Sequence, residues 1–194
     1  MLRSHLTSDR PLYQVLLLVF LMLGPFLQAQ ELTSKQWQED LDYLQKTIHG
    51  EYPFLFKKIS ASDFDGEVNA LRTAIPDLED HEVMVGLARL VASFEYGHTV
   101  LAYWEEKILL HELPIVLYQY DDGIFIQGVH SDYAGLAGAR LLEIEGMPVE
   151  RVLELMRPVI PAENEMFVKA YGIHYLTFPE FLHAQKFLSQ NNQE

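Results

Sequence analysis

The stretch SFEYGHTVLAYW, residues 93–104, marks the point where the pattern of the sequence changes. Upstream of it, apolar residues recur at helical spacing, whereas Thr99 to Trp104 is predicted to be a strand with Val100, Ala102 and Trp104 on one face. Gly97 is predicted to end the preceding helix in a left-handed C-cap, which would set the direction of His98. The sequence therefore predicts a junction between two modules, with His98 at a place where clefts form.

Three amphipathic helices are predicted before this junction, because apolar residues repeat there at i, i+4, i+7 and i+11 or close to it. The stripes are Trp37, Leu41, Leu44 and Ile48; Phe64, Val68, Leu71 and Ile75; and Val83, Leu87, Leu90, Val91 and Phe94. The predicted N-terminal caps are Thr33 with Gln36, Ser62 and Asp80, and the predicted ends are Gly50, Pro76 and Gly97. Three such helices joined by short links are typical of a small bundle.

A β-hairpin is the clearest prediction after the junction. In LPIVLYQYDDGIFIQGV, residues 113–129, two β-rich runs flank Asp121-Asp122-Gly123. There follow a Gly-rich turn, a strand Arg140 to Ile144, a tight turn at Glu145-Gly146, a helix Val149 to Met156 and two short helical segments, the last with Thr177 and Glu180 at capping-box spacing. The predicted fold class is α+β: a three-helix bundle, a small β-rich domain and a short helical connector.

The first 29 residues have the layout of a secretory signal peptide. Arg3 and Arg10 precede an unbroken apolar run, VLLLVFLML at residues 15–23, and Ala29 follows at a cleavage position. The alternative is a membrane anchor, but the run is shorter than the roughly 20 apolar residues that span a bilayer. We therefore expect an exported protein of the periplasm or cell surface of a Gram-negative bacterium, with no membrane span after cleavage.

Composition excludes several classes of function. The 194 residues include 28 Asp and Glu against 14 Lys and Arg, and the formal net charge of −14 argues against nucleic acid and anionic membrane surfaces as partners. There is no cysteine, which excludes disulfides and thiol catalysis. A peptide or a small molecule is compatible as a partner.

Residue chemistry leaves one candidate catalytic group. The histidines show neither His-Glu-x-x-His nor His-x-x-x-His spacing, so no metal site and no cofactor are predicted. No serine lies in a Gly-x-Ser-x-Gly context, and no phosphate-binding loop is present. His98 remains, and the structural alternative is that it merely follows a helix cap.

The ordered pieces resemble the front half of the tail-specific, or C-terminal-processing, serine peptidases, and most closely the tricorn-core-like branch exported by Bacteroidetes-type bacteria. The pieces are the helices ending in Gly97-His98-Thr99, the hairpin, and AGLAGARLLEIEGMPVERVLELM, residues 134–156, which is similar to the turn, strand and Ile-x-Gly-x-x-Val ending of a PDZ domain. ENEMFVKAYGIHYLTFPEFLHA, residues 163–184, resembles the connector to the catalytic domain.

This resemblance implies a helical domain at residues 31–100, a PDZ-like domain at 101–160 and a connector at 161–194. It implies that His98 corresponds to the general base, although Tyr96 stands where the family often has Asp. It also implies a peptide or unfolded protein substrate, with Gly135, Leu136 and Gly138 as the peptide-binding residues. The nucleophile-bearing domain is expected to be absent, so the chain is expected to be an N-terminal fragment that is inactive alone. The alternative is a stand-alone PDZ-like peptide-binding or adaptor protein of the cell envelope.

Overall fold

The computed structural model describes residues 32–103 and 110–191, with side chains up to residue 185. The predicted signal peptide and Trp104 lie outside the described residues. The helices are α1 (Ser34–Glu51), α2 (Ala61–Ala74), α3 (Asp80–Ala92), α4 (Val149–Met156), α5 (Glu165–Tyr171) and α6 (Pro179–Asn191). The strands are β1 (Ile115–Tyr120), β2 (Gly123–Val129), β3 (Arg140–Leu141), β4 (Glu143–Ile144) and β5 (Met147–Pro148). The fold class is α+β, as predicted.

The first three helices lie where the sequence predicts them, but most of their observed ends differ from the predicted ends by one or more residues. The capping box of Thr33 with Gln36 is present at the start of α1. The cap of α2 is Ser60 rather than Ser62, and that of α3 is Glu79 rather than Asp80. Such shifts arise because neighbouring polar residues compete for the same free amides of the first turn.

The predicted helix ends at Gly50 and Gly97 are wrong. Helix α1 continues through Gly50 to Glu51, and the chain then enters a short 3-10 helix that begins at Pro53. Proline cannot donate the hydrogen bond that would extend the α-helix. Helix α3 already ends at Ala92, and the left-handed residue after it is Glu95, with φ 47°, rather than Gly97.

Helix α3 is the centre of the hydrophobic core. The sequence predicts a single apolar stripe, but buried residues occur all around the helix, including Met84 and Val85 outside that stripe. A helix that is apolar on every side is covered on every side. Here the neighbours of α3 are α2, α6 and the 3-10 helix Arg157–Val159.

The predicted hairpin is confirmed and forms the main sheet. Strands β1 and β2 pair antiparallel with Tyr120 opposite Gly123, and β3 pairs with the other side of β2. A register shift after Val116 leaves Gln127 as an extra residue of β2. The predicted strand Arg140 to Ile144 is divided at Leu142, because the chain leaves this sheet there and β4 pairs with β5 instead.

The strand predicted from Thr99 is wrong over its described residues, 99–103. The Thr99 amide donates to the Tyr96 carbonyl at 2.7 Å, and the Tyr103 amide donates to the Leu101 carbonyl at 2.8 Å. These local hydrogen bonds occupy backbone amides that a strand would need in order to pair with a neighbouring strand. Tyr103 is instead fixed by burial against the rings of Tyr175, Phe178 and Phe181, with centroids 4.9–5.2 Å away.

The predicted capping box of Thr177 and Glu180 does not form. The Thr177 hydroxyl donates to the His174 carbonyl, and the Glu180 carboxylate binds His111. The described residues from Leu32 onward form one compact unit by their contacts, with a hydrophobic core that extends from Trp37 to Ala184. The domain boundaries near residues 100 and 160 stay predictions.

Candidate functional site

The loop after α3 is clamped by the segment that leads into α5. The Gly97 amide donates to Glu163 Oε1 at 2.9 Å, and the Phe167 ring covers the same residue. A Cβ at position 97 would lie 2.4 Å from Phe167 Cε2, well inside van der Waals contact. Glycine is therefore favoured at position 97 by the close approach of the Phe167 ring, and not by the left-handed cap that the sequence predicts.

His98 is exposed beside this clamp. Among the described residues, none forms a hydrogen bond, an ion pair or a ring contact with its side chain. A catalytic base of a serine peptidase is held in place by a carboxylate on one ring nitrogen and faces the nucleophile with the other. The described surroundings of His98 supply neither group, so its catalytic role stays a prediction.

The predicted peptide-binding residues lie in an exposed turn between β2 and β3. Gly135 and Leu136 belong to the 3-10 helix Ser131–Leu136. Gly138, with φ 80°, donates its amide to the Ile126 carbonyl at 2.8 Å, so this amide is not available to a ligand. Within the described part of the chain, no hydrogen bond, ion pair or ring contact connects this turn to His98.

A cleft of about 620 Å³ opens next to this sheet. Its walls are the hairpin turn at Asp121-Asp122, the α4 residues Glu150 and Leu153, and residues of α5. The volume lies within the roughly 300–1,000 Å³ typical of ligand sites. The cleft contains neither His98 nor the turn at Gly135, so none of the site residues predicted from the sequence lies in it.

Ion pairs on the cleft wall join α5 to the hairpin and to the end of α4. Lys169 Nζ lies 2.8 Å from Asp121 Oδ1, and Arg157 pairs with Glu165. The hydrogen bond and the charge of Lys169 lower the pKa of Asp121, and the same contact raises the pKa of Lys169. Both ion pairs are exposed to solvent, and each neutralises two opposite charges on the wall of the cleft.

Three charged residues of the cleft, Asp122, Arg140 and Glu150, have no ion-pair partner among the described residues. The Arg140 guanidinium lies against Gly123, where Nε would be 2.6 Å from an added Cβ. Polar groups of this kind give a cleft its specificity, because a ligand can satisfy them.

His111, unlike His98, has a ring that is oriented by a carboxylate. Glu180 Oε1 lies 2.6 Å from His111 Nδ1 and accepts from the His111 amide at 3.1 Å. Burial alone would raise the pKa of Glu180, but the hydrogen bonds from His111 lower it below its ordinary value. The two residues are 69 positions apart, so no sequence spacing indicated the pair.

No protein-family model matches this sequence, and no curated protein matches it. No helix of the described residues is both long and apolar enough to cross a membrane. Within residues 32–103 and 110–191, no three histidine or carboxylate side chains are grouped so that they could hold a metal ion.

Proposed function

We propose that this chain is the peptide-binding part of an exported serine-type endopeptidase of the tail-specific family. In this proposal α1–α3 correspond to the N-terminal helical bundle, the sheet with α4 to the PDZ-like domain, and His98 to the general base. The observation that carries the proposal is the cleft beside α4, because a PDZ-like module that binds peptides would need a groove between an edge strand and the helix Val149 to Met156.

The shape of the sheet supports a peptide as the ligand. Strands β1 and β3 are the outer strands of the three-stranded sheet, so each pairs with a single described strand. An edge strand offers unpaired amides and carbonyls to an added extended chain. Arg140 on β3 and Glu150 on α4 face the same cleft and can bind polar groups of such a chain.

Peptide binding is tested by fluorescence anisotropy with a library of labelled peptides. Glu150→Lys inverts a charge in the cleft and should weaken binding, whereas Glu51→Lys makes the same change at the exposed end of α1 and should not. Leu136→Asp changes the predicted peptide-binding turn. If only Leu136→Asp abolished binding, the binding site would be that turn and not the cleft. If the unaltered protein bound no peptide, the proposal would be refuted.

Catalysis by this chain alone is not expected, because no serine of the sequence lies in the Gly-x-Ser-x-Gly context of an activated nucleophile. His98 lacks an orienting carboxylate among the described residues. The unaltered protein should therefore leave casein intact and should not react with a fluorophosphonate probe. Turnover that disappears in His98→Ala would overturn this part of the proposal.

A further inference from the structure

Helices α3 and α6 carry two histidines whose rings face each other. His81, in the first turn of α3, has its Nε2 atom 3.0 Å from Nδ1 of His183 on α6. The ring centroids are 5.1 Å apart. The residues are 102 positions apart in the sequence, so only the packing of α6 on α3 brings them together.

A buried carboxylate points at this histidine pair. Glu82 Oε1 lies 3.9 Å from His183 Nδ1, and the Glu82 side chain is only 6% exposed. Glu82 Oε2 accepts from the Glu79 amide at 2.9 Å, whereas Oε1 has no hydrogen bond to another described residue. Glu79 Oε2 lies 3.5 Å from His81 Nδ1. Two carboxylates thus put negative charge around two imidazoles.

The spacing of the two ring nitrogens suits a shared metal ion. In a tetrahedral zinc site with Zn–N bonds of about 2.0–2.1 Å, two ligating nitrogens are about 3.3 Å apart. The observed 3.0 Å is close to this value, so a small movement of either ring is sufficient. Without a metal, a proton must lie between the two nitrogens to form their hydrogen bond. The His183 side chain is 58% exposed, so an ion can reach the pair from solvent.

We propose that His81 and His183 form a two-histidine binding site for a divalent late transition-metal ion, with solvent in the remaining positions. Such an ion would fasten α6 to α3. Imidazole favours copper, nickel and zinc, with copper bound most tightly, over the oxygen-preferring magnesium and calcium. Glu79 is placed to orient His81 through Nδ1, and Glu82 attracts the cation. This proposal is independent of the proposed peptidase function.

The test measures binding of Cu²⁺, Ni²⁺ and Zn²⁺ by calorimetry, and their effect on the Tm, with the protein free of a histidine tag. Each ion should raise the Tm reversibly, EDTA should cancel the effect, and Mg²⁺ at the same concentration should not reproduce it. His183→Ala and His183→Gln should each weaken binding at least tenfold. Glu82→Gln should weaken it by about tenfold, the scale of outer-shell effects on metal affinity.

The matched control is His130→Ala. His130 also has a carboxylate neighbour, Asp132 Oδ2 at 3.3 Å, and its side chain is 59% exposed. It therefore has the same chemistry as His183 without a second histidine on its ring, and its removal should leave metal binding unchanged. The proposal is overturned if the unaltered protein does not bind these ions, if Mg²⁺ stabilises it equally, or if both His81→Ala and His183→Ala bind as tightly as the unaltered protein.

Discussion

Replacing Gly97 by alanine is expected to destabilise the protein through a single steric contact. The new Cβ would lie 2.4 Å from Cε2, 2.9 Å from Cδ2 and 3.1 Å from Cζ of Phe167. Ordinary carbon contacts are about 3.5–4.0 Å, so the ring must retreat by about 1 Å. The Tyr171 ring, with its centroid 4.7 Å from that of Phe167, restricts this movement.

The expected magnitude follows from two opposing effects. Overpacking of this kind costs about 1–3 kcal/mol. Alanine also reduces the entropy of the unfolded chain, which stabilises the protein by about 0.4–1 kcal/mol where the backbone tolerates it. The φ angle of Gly97 is not positive, so the backbone does tolerate alanine. The net loss should be about 1–2 kcal/mol, or a Tm lower by roughly 2–8 °C for a chain of this size.

Urea unfolding followed by circular dichroism measures the effect, and Gly66→Ala is the matched control. Gly66 lies within α2, and no heavy atom lies within 4 Å of an added Cβ there. Alanine at this position should therefore stabilise the protein by up to about 1 kcal/mol, the helix-propensity difference. The two glycine replacements are expected to act in opposite directions.

A double-mutant cycle with Phe167→Leu isolates the contact. The smaller side chain leaves room for a methyl group at position 97, so Gly97→Ala should cost less in this background than alone. An interaction energy of at least about 0.5 kcal/mol is expected for residues in direct contact. The steric argument would be refuted if the Gly97→Ala protein were as stable as the unaltered protein. It would also be refuted if the effects of the two substitutions on the free energy of unfolding were additive.

Two further predictions concern pH. Hydrogen bonds from Gln45 and His49 lower the pKa of Asp65, and this stabilisation is present above the unfolded-state pKa and lost as pH falls through the lower folded-state pKa. Asp65→Asn should therefore lower the urea midpoint at neutral pH, and the difference should close in acid; a constant difference would contradict this assignment. Burial raises the pKa of Tyr175 to about 12 from 10.0 and raises that of Tyr103 further, so stability is lost as pH rises from 10. Tyr175→Phe should reduce this loss of stability at alkaline pH in the same assay. An unchanged loss would show that Tyr175 does not cause it.

Local features were predictable from the sequence because the interactions that create them lie within a few residues. The capping box at Thr33, the hairpin turn at Asp121-Asp122 and the turn at Glu145-Gly146 are all present. Helix α4 has the predicted ends. Helix periodicity also located α1–α3, although competing polar residues moved their caps.

The strand predicted after Thr99 shows where local pattern fails. Alternation of apolar residues indicates a strand only if a neighbouring strand supplies hydrogen-bond partners. Between residues 99 and 103 the backbone bonds within itself, and Tyr103 is held by aromatic rings more than 70 positions later in the chain. The sequence of residues 93–104 indicates neither the local backbone hydrogen bonds nor the distant aromatic rings that pack on Tyr103.

The sequence by itself determined the α+β class, the order of the helices and the hairpin, and His98 as the residue to test. The tertiary structure alone decided that Phe167 clamps Gly97, that the cleft lies beside α4, and that His81 faces His183. The physical reason is the range of the interactions. Caps and turns join residues a few positions apart, whereas each of these sites joins residues that packing brings together from distant parts of the chain.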